Sequence, residues 1–388
     1  MTISIESRGA DVLDIFRVDN YSGFLQLREQ WNELVANRSV FLRHEWFDAA
    51  WQWRRLDETV QLAILCAYRG TNLVGVCPLI QVVGQISGIR RWILEFLTVP
   101  DNQSCDLIAA ESEQTAVADS IAATLSAQRG EWDVLHLSYL PEDSLVRSAL
   151  TQALRAHGIA YRINDGGSNP YISLKTDWNE YYATRSRRLK KASNLNSNRL
   201  TRAGNICIDW LQPGNTSAAE TRSALESVIA ISADSWKRST GNTLDYPGPQ
   251  AFIRRLSDLA QQQGWLSLWL LMLDGKPMAM EYQLVFAGKV HALRADFVDG
   301  HDEISPGSHL NRQQLEQLFG RGLQRYLMGP GGNAYKKHWS ENEEPLYQLD
   351  AYSPSARGRL AALWDLKMKP ALHALKAKLP QFNSGIAT

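Results

Sequence analysis

The chain has 388 residues, 44% of them apolar, which is enough for two ordinary domains with a core each. Its 41 Lys and Arg balance 41 Asp and Glu, so a partner held through a polyphosphate backbone, DNA above all, is not expected. No apolar run reaches the length of a membrane span, Glu6, Asp11 and Asp14 argue against a signal peptide, and Cys66, Cys77, Cys105 and Cys207 lack metal-ligand spacing, so reduced thiols, no metal and a cytoplasmic location are expected.

Taken in order, residues 15–18 read as a strand and Phe24, Leu25, Leu27 and Trp31 as one face of a helix. Trp46, Ala49, Ala50 and Trp53 continue at helical spacing, with His44 and Glu45 at the helix start. Residues 61–68 and 73–83 form a hairpin about Arg69-Gly70, residues 91–97 a further strand, Val117, Ile121, Ala122 and Leu125 a helix face, and residues 132–140 a strand. The N-D-G-G-S-N-P cluster at 164–170 reads as a turn or linker. It divides an N-terminal unit, 1–165, from a second unit, 166–352, and a basic helical tail follows at 353–388. Most of the 13 tryptophans are assigned to core or rim, with sugar stacking as the alternative.

In the second half Asp177 and Glu180 form a helix-start pair. Residues 185–202 hold seven basic side chains and no acidic one, Arg185 and Arg188 among them. This is either a solvated face or a site for a phosphorylated or carboxylated ligand. A helix ending in Ser235-Trp236-Lys237 leads to another marked by Phe252, Leu256 and Leu259. Then come a strand at Leu266–Leu273, a turn at Asp274-Gly275, a strand over 278–286, a turn at Ala287-Gly288 and a strand over 290–297. A helix carrying Leu315, Leu318, Phe319 and Leu323 precedes a short strand at 326–328. Helix, hairpin, strand, helix, strand thus occurs twice, which implies an internal duplication.

The two copies differ at one helix start. Ser305-Pro306-Gly307-Ser308, followed by His309, offers free backbone N–H groups and a glycine for close approach, as a diphosphate requires. Ala110-Glu111-Ser112-Glu113 would repel one, so the first unit reads as a scaffold or acceptor-side wall. If Phe286 pairs with Lys289 across a two-residue turn, Glu281 lies opposite Arg294 and Ala279 opposite Asp296. Glu281, Gln283, Arg294 and Asp296 then share a face. That patch is a cross-strand salt bridge, or it supplies Glu281 or Asp296 as the base that deprotonates an amine.

S-W-K (235–237), L-D-G-K-P-M-A (273–279), I-S-P-G-S-H-L (304–310) and A-Y-K-K-H-W (334–339), in this order, resemble the CelD-like "acetyltransferase 6" branch of the GNAT acyltransferases, near the FemAB-type transferases. Weaker echoes begin at F-L-R-H-E-W (41–46). The resemblance implies an α/β (α+β) fold of two tandem GNAT-like domains, each a mixed, mostly antiparallel sheet flanked by helices. It implies acyl transfer from an acyl-CoA such as acetyl-CoA, a co-substrate and not a bound cofactor, to a small-molecule amine on a sugar, lipid or amino acid, in polysaccharide or envelope biosynthesis. Tyr335 would protonate the leaving thiolate, Lys336 would hold an acceptor carboxylate or phosphate, and Trp236 and Arg294 would contact the acceptor. Leu327 or Met328 and Asn333 stand where the family commonly has acidic residues. Two alternatives remain: an aminoacyl-tRNA donor, disfavoured by the zero net charge, and a non-catalytic assembly protein. The basic amphipathic tail could lie on an anionic membrane, peripheral to the inner membrane, or dock on the body.

Overall fold

A computed structural model describes residues 13–86, 88–100, 103–301, 303–332, 334–340 and 342–371. The chain opens with β1 (Asp14–Val18) and the helices α1 (Tyr21–Gln26), α2 (Arg28–Val35) and α3 (His44–Arg54). Strands β2 (Gln61–Leu62), β3 (Ile64–Arg69), β4 (Asn72–Cys77), β5 (Leu79–Ile86), β6 (Ile89–Phe96) and β7 (Ile108–Ala109) follow. Helix α4 (Gln114–Ala127), strand β8 (Val134–Leu140), helix α5 (Thr151–Ala156) and strand β9 (Ala160–Ser173) come next. Past these lie α6 (Trp178–Thr184), α7 (Arg187–Ala203), β10 (Ile206–Leu211), α8 (Ala218–Ala233) and α9 (Pro247–Gln262). The meander is β11 (Leu266–Leu273), β12 (Lys276–Phe286) and β13 (Lys289–Phe297), and then come α10 (Pro306–Leu318) and β14 (Arg325–Leu327). Helix α11 (Ala334–Trp339), strand β15 (Asn342–Tyr352) and helix α12 (Ala356–Leu363) complete it.

The meander forms where the turn chemistry permits. Asp274 and Gly275 have φ of 49° and 77°, and Ala287 and Gly288 have 48° and 74°, the paired positive values of a tight hairpin. Asp177 accepts from the Glu180 N–H at the start of α6, and Ser217 with Glu220 closes a capping box on α8.

A sheet of eleven strands runs β10-β11-β12-β13-β14-β9-β15-β8-β6-β5-β2, and a second sheet of four is β1-β3-β4-β7. Among the described residues only β13–β14 and β6–β8 are parallel pairs, one in each half, so each unit is mixed and mostly antiparallel, as expected. The halves exchange their last strands. β9, which ends the first half, pairs with β14 of the second through Tyr171–Ser173; β15, which ends the second, pairs with β8 of the first. The two exchanged strands run side by side from Ala160↔Tyr352 to Tyr171↔Asn342.

This corrects the reading of 164–170 as a turn or linker: those residues lie inside β9, in the middle of the large sheet. The glycine there answers to close approach, since a Cβ on Gly166 would come within 2.9 Å of the Tyr347 main chain. Away from the sheet, α3 packs on α9: the Trp46 and Phe252 rings meet edge to face, and Arg255 pairs with buried Asp48 at 2.6 Å. Cys66, Cys77 and Cys105 are buried free thiols and Cys207 is an exposed one, so the expectation of buried thiols holds for three of the four. Among the described residues no helix is long and apolar enough to cross a membrane.

Candidate functional site

The parallel ladder between β13 and β14 is short, Lys289↔Arg325 to His291↔Leu327. Beyond it β14 ends and the chain turns through Met328, Gly329 and Pro330, while β13 bulges: Gln283 pairs with Ala292 and Tyr282 with Arg294, leaving Leu293 between them. A cavity of about 230 Å³ opens where the strands part. Its lining includes Ala292–Arg294 of β13 and Met328–Gly329 after β14, with Lys237 and Asn242, and Gln103 and Tyr139 of the first half. Gly329 keeps the gap open. Its φ is +81°, and a Cβ there would stand 3.3 Å from the Ala292 carbonyl and 3.9 Å from Lys336 Nζ.

Charge is organised around this cavity. Asp296, its carboxylate fully buried, receives Lys237 Nζ at 2.6 Å and Arg294 Nε at 2.7 Å. Arg294 also donates to Asn242 Oδ1 at 2.9 Å and Ser232 Oγ at 3.2 Å. Lys336 reaches in from α11 and donates to the Gly329 and Pro330 carbonyls at 2.8 and 3.0 Å. Burial, and then the nearby charge of Lys237, push its ammonium down to about 8.

α10 begins at Ser305, in the left-handed region at φ 45°, with no side-chain cap. Gly307 is demanded first by packing, because a Cβ would sit 2.9 Å from the Phe297 ring. The basic helix α7 lies alongside. Ser197 Oγ meets His309 Nδ1 at 3.0 Å, and Arg199 donates to the Glu303 carbonyl at 3.3 Å, so a guanidinium stands beside the start of α10. In the first half the corresponding helix start is already engaged: Glu113 takes both Arg69 Nε and Nη2 at 2.7 Å.

The opposite face of the meander holds a sealed polar chain. The Trp269 indole and Ser267 Oγ both donate to Gln283 Oε1 at 3.1 Å. Gln283 Nε2 donates to Glu281 Oε1 at 2.9 Å and to Gln314 Oε1 at 2.6 Å. Gln314 Nε2 and the Tyr326 hydroxyl complete the set on Glu281. Burial pushes the Glu281 carboxyl up, opposed by these three donors.

Residues 195–337 match the family model described as the acetyltransferase (GNAT) domain. The search of curated proteins gave no match. Among solved structures the chain is similar to FemX, with TM-score 0.53 and 11% identity over 83% of this chain and 95% of that one. It is also similar to the C-terminal domain of a presumed lysylphosphatidylglycerol synthetase from Agrobacterium fabrum, with TM-score 0.52 and 14% identity over 88% and 96%. A conserved protein of unknown function from Bacteroides thetaiotaomicron gives 0.52 and 10% over 88% and 100%. These likenesses show the fold.

Within and beside the matched segment the expected residues separate. The register with Glu281 opposite Arg294 and Ala279 opposite Asp296 is corrected: Glu281 pairs with Ala295, Ala279 with Phe297 and Met280 with Asp296. The single extra residue, Leu293, turns Arg294 and Asp296 to the cavity side and leaves Glu281 and Gln283 under α10. The expected Glu281–Arg294 salt bridge is therefore replaced by Asp296–Arg294. Tyr335 keeps 44% of its surface exposed, while burial, with Glu281 and Tyr181 nearby, drives its hydroxyl well above the ordinary range. Lys336, its neighbour in α11, lines the cavity. Arg185 stacks on Tyr181 at 4.9 Å and donates to the Trp339 carbonyl at 3.0 Å, which ties the end of α6 to α11; Arg188 stands exposed on α7. Trp236 is 48% exposed, its ring 5.9 Å from Lys237 Nζ. Asn333 lies outside the described residues. Sequence reasoning missed Asn242, Gln103, Tyr139 and Gly329 as cavity residues. A signal existed only for Gly329, in the Gly-Pro-Gly-Gly run at 329–332.

Proposed function

We propose that the protein is an N-acyltransferase that moves an acyl group from an acyl-CoA to an amine acceptor held between its halves, in envelope or polysaccharide biosynthesis. The observation that carries this reading is the cavity at the parted ends of β13 and β14, held open by Gly329. A thioester carries an activated acyl carbon; the amine nitrogen bonds to it, the C–S bond breaks, the amine gives up a proton and the thiolate takes one. The chain's residues fit those needs. Main-chain groups of Ala292–Arg294 border the gap where an extended arm would lie. The start of α10, Ser305 to His309, together with Arg199 beside it, suits a diphosphate. Lys336, near 8 and inside the cavity, is tuned to hold or deliver a proton at neutral pH, a role for which Tyr335 is the alternative. Asp296 orients Lys237 and Arg294 toward the acceptor. The names of the similar structures, FemX and a presumed lysylphosphatidylglycerol synthetase, agree with work at the envelope.

The exposed basic face of α7 favours a second reading, an aminoacyl-tRNA donor. Titration calorimetry with CoA and acyl-CoAs of increasing chain length tests the first. Saturable heat, lowered at least tenfold in affinity by Arg199→Ala, is expected. No heat with any of them removes the acyl-CoA donor; activity abolished by ribonuclease would then support tRNA, and neither response would leave a non-catalytic protein. With a donor established, Lys336→Met against Tyr335→Phe identifies which side chain sets the alkaline limb of the kcat profile.

A further inference from the structure

The last described helix wears its apolar residues on the outside. α12 and the π-helical turn that continues it over Trp364–Met368 rest on the body through Gly358, Ala361 and Asp365, which are buried, and through Ala362 and Leu366, which pack against Val134 and Tyr352. A Cβ on Gly358 would fall 2.1 Å from the Ser353 carbonyl, so the contact is main chain on main chain. Arg357 fixes the helix to the body through Asp133 at 3.1 Å, and Arg162 holds the Asp365 carbonyl at 3.2 Å. The outward side carries Leu360, 63% exposed, Leu363, 46%, and Met368, 45%. No other large apolar side chain among the described residues is as exposed as Leu360. Arg359, Lys367 and Lys369 flank these residues, all exposed.

The charge is as one-sided as the apolarity. From residue 356 to the end the sequence contains Arg357, Arg359, Lys367, Lys369, Lys376 and Lys378 against one acid, Asp365. That acid is the residue turned inward. We propose that this face docks on an anionic lipid bilayer, with Leu360, Leu363 and Met368 at the boundary of headgroups and acyl chains and the cations among lipid phosphates. A second copy fits poorly, because a two-fold contact would set Arg359 and Lys367 against their own images. The helix is tied rigidly to the body, so docking would hold the whole protein at the surface.

The test is co-sedimentation of the full chain with vesicles of phosphatidylcholine alone and of phosphatidylcholine with phosphatidylglycerol. Binding to the anionic vesicles only, weakened by salt, is expected. Lys367→Ala with Lys369→Ala should lower the partition coefficient roughly thirty-fold, at about five-fold for each cation near the surface. Leu360→Glu with Leu363→Glu should abolish binding without moving the melting temperature, since both side chains already stand in water. Failure to bind anionic vesicles at low salt, equal binding to both kinds, or full binding by the leucine variant overturns the proposal. So does concentration-dependent dimerisation that the leucine variant removes, which would give this face to a second copy.

Discussion

Replacing Glu281 tests whether the sealed chain under α10 is set by hydrogen-bond direction. An indole can only donate, so Trp269 fixes Gln283 with its oxygen inward and its NH2 toward Glu281 and Gln314. Gln314 must then offer its own NH2 to Glu281, which receives three donors. In Glu281→Gln the new amide oxygen can keep Gln283 and Tyr326, but the new NH2 faces that of Gln314. Rotating Gln314 moves the conflict to Gln283, and the chain stops at Trp269. One buried donor is left without an acceptor, at a cost of about 1–3 kcal/mol. Glu281→Leu strands all three, so the cost should reach roughly 3–9 kcal/mol on the same scale. Working against this is the burial of the carboxyl itself, which pushes its pKa up. Urea unfolding at pH 7, followed by fluorescence and circular dichroism, measures the balance. A Leu variant as stable as the parent would show that desolvation outweighs the hydrogen bonds and would refute the argument. Turnover of Glu281→Gln, once an acceptor is known, asks a separate question: a base role requires it to collapse even where the fold survives.

Expressed separately, residues 1–175 and 176–388, cut after β9, should each fail to give a cooperative melt, because each exposes a strand edge that the other normally covers, and mixing them should restore one. A sharp melt from either alone would contradict the strand exchange. Gly329→Ala should weaken acyl-CoA binding at least tenfold by calorimetry while leaving the chain folded; undiminished heat would show that the gap is not the donor's. Asp106 is partly buried, accepts from Ser144 Oγ and from the Leu107, Leu145 and Val146 N–H groups, and desolvation raises its pKa to about 6 from an ordinary 3.8. Its folded pKa is raised, so the stability it contributes is fully present below pH 3.8 and is lost as pH climbs to 6, by about 3 kcal/mol over that span. Asp106→Asn should flatten that slope in urea midpoints taken from pH 4 to 7.

Local chemistry was enough to announce most elements. Asp274-Gly275 and Ala287-Gly288 declare their hairpins because so few residue pairs tolerate positive φ together, and Asp177 with Glu180 announces a helix by its caps. The start of α10 at Ser305-Pro306 was legible from the same kind of local chemistry, and the duplication from the repeated order of elements. The tertiary structure decided which faces these elements show each other. A single unpaired residue, Leu293, reversed the faces of β13, and nothing in an alternating pattern marks where a ladder must bend to part from its neighbour. The Gly-rich, Asn-rich run at 164–170 has the composition of a turn, yet β15 on one side and β14 at its far end supply strand partners that override it. The cavity itself gathers Gln103 and Tyr139 from the first half with Lys237, Arg294 and Lys336 from the second. Side chains so far apart in the chain meet only because the halves trade strands, a long-range pairing that no local window of sequence encodes.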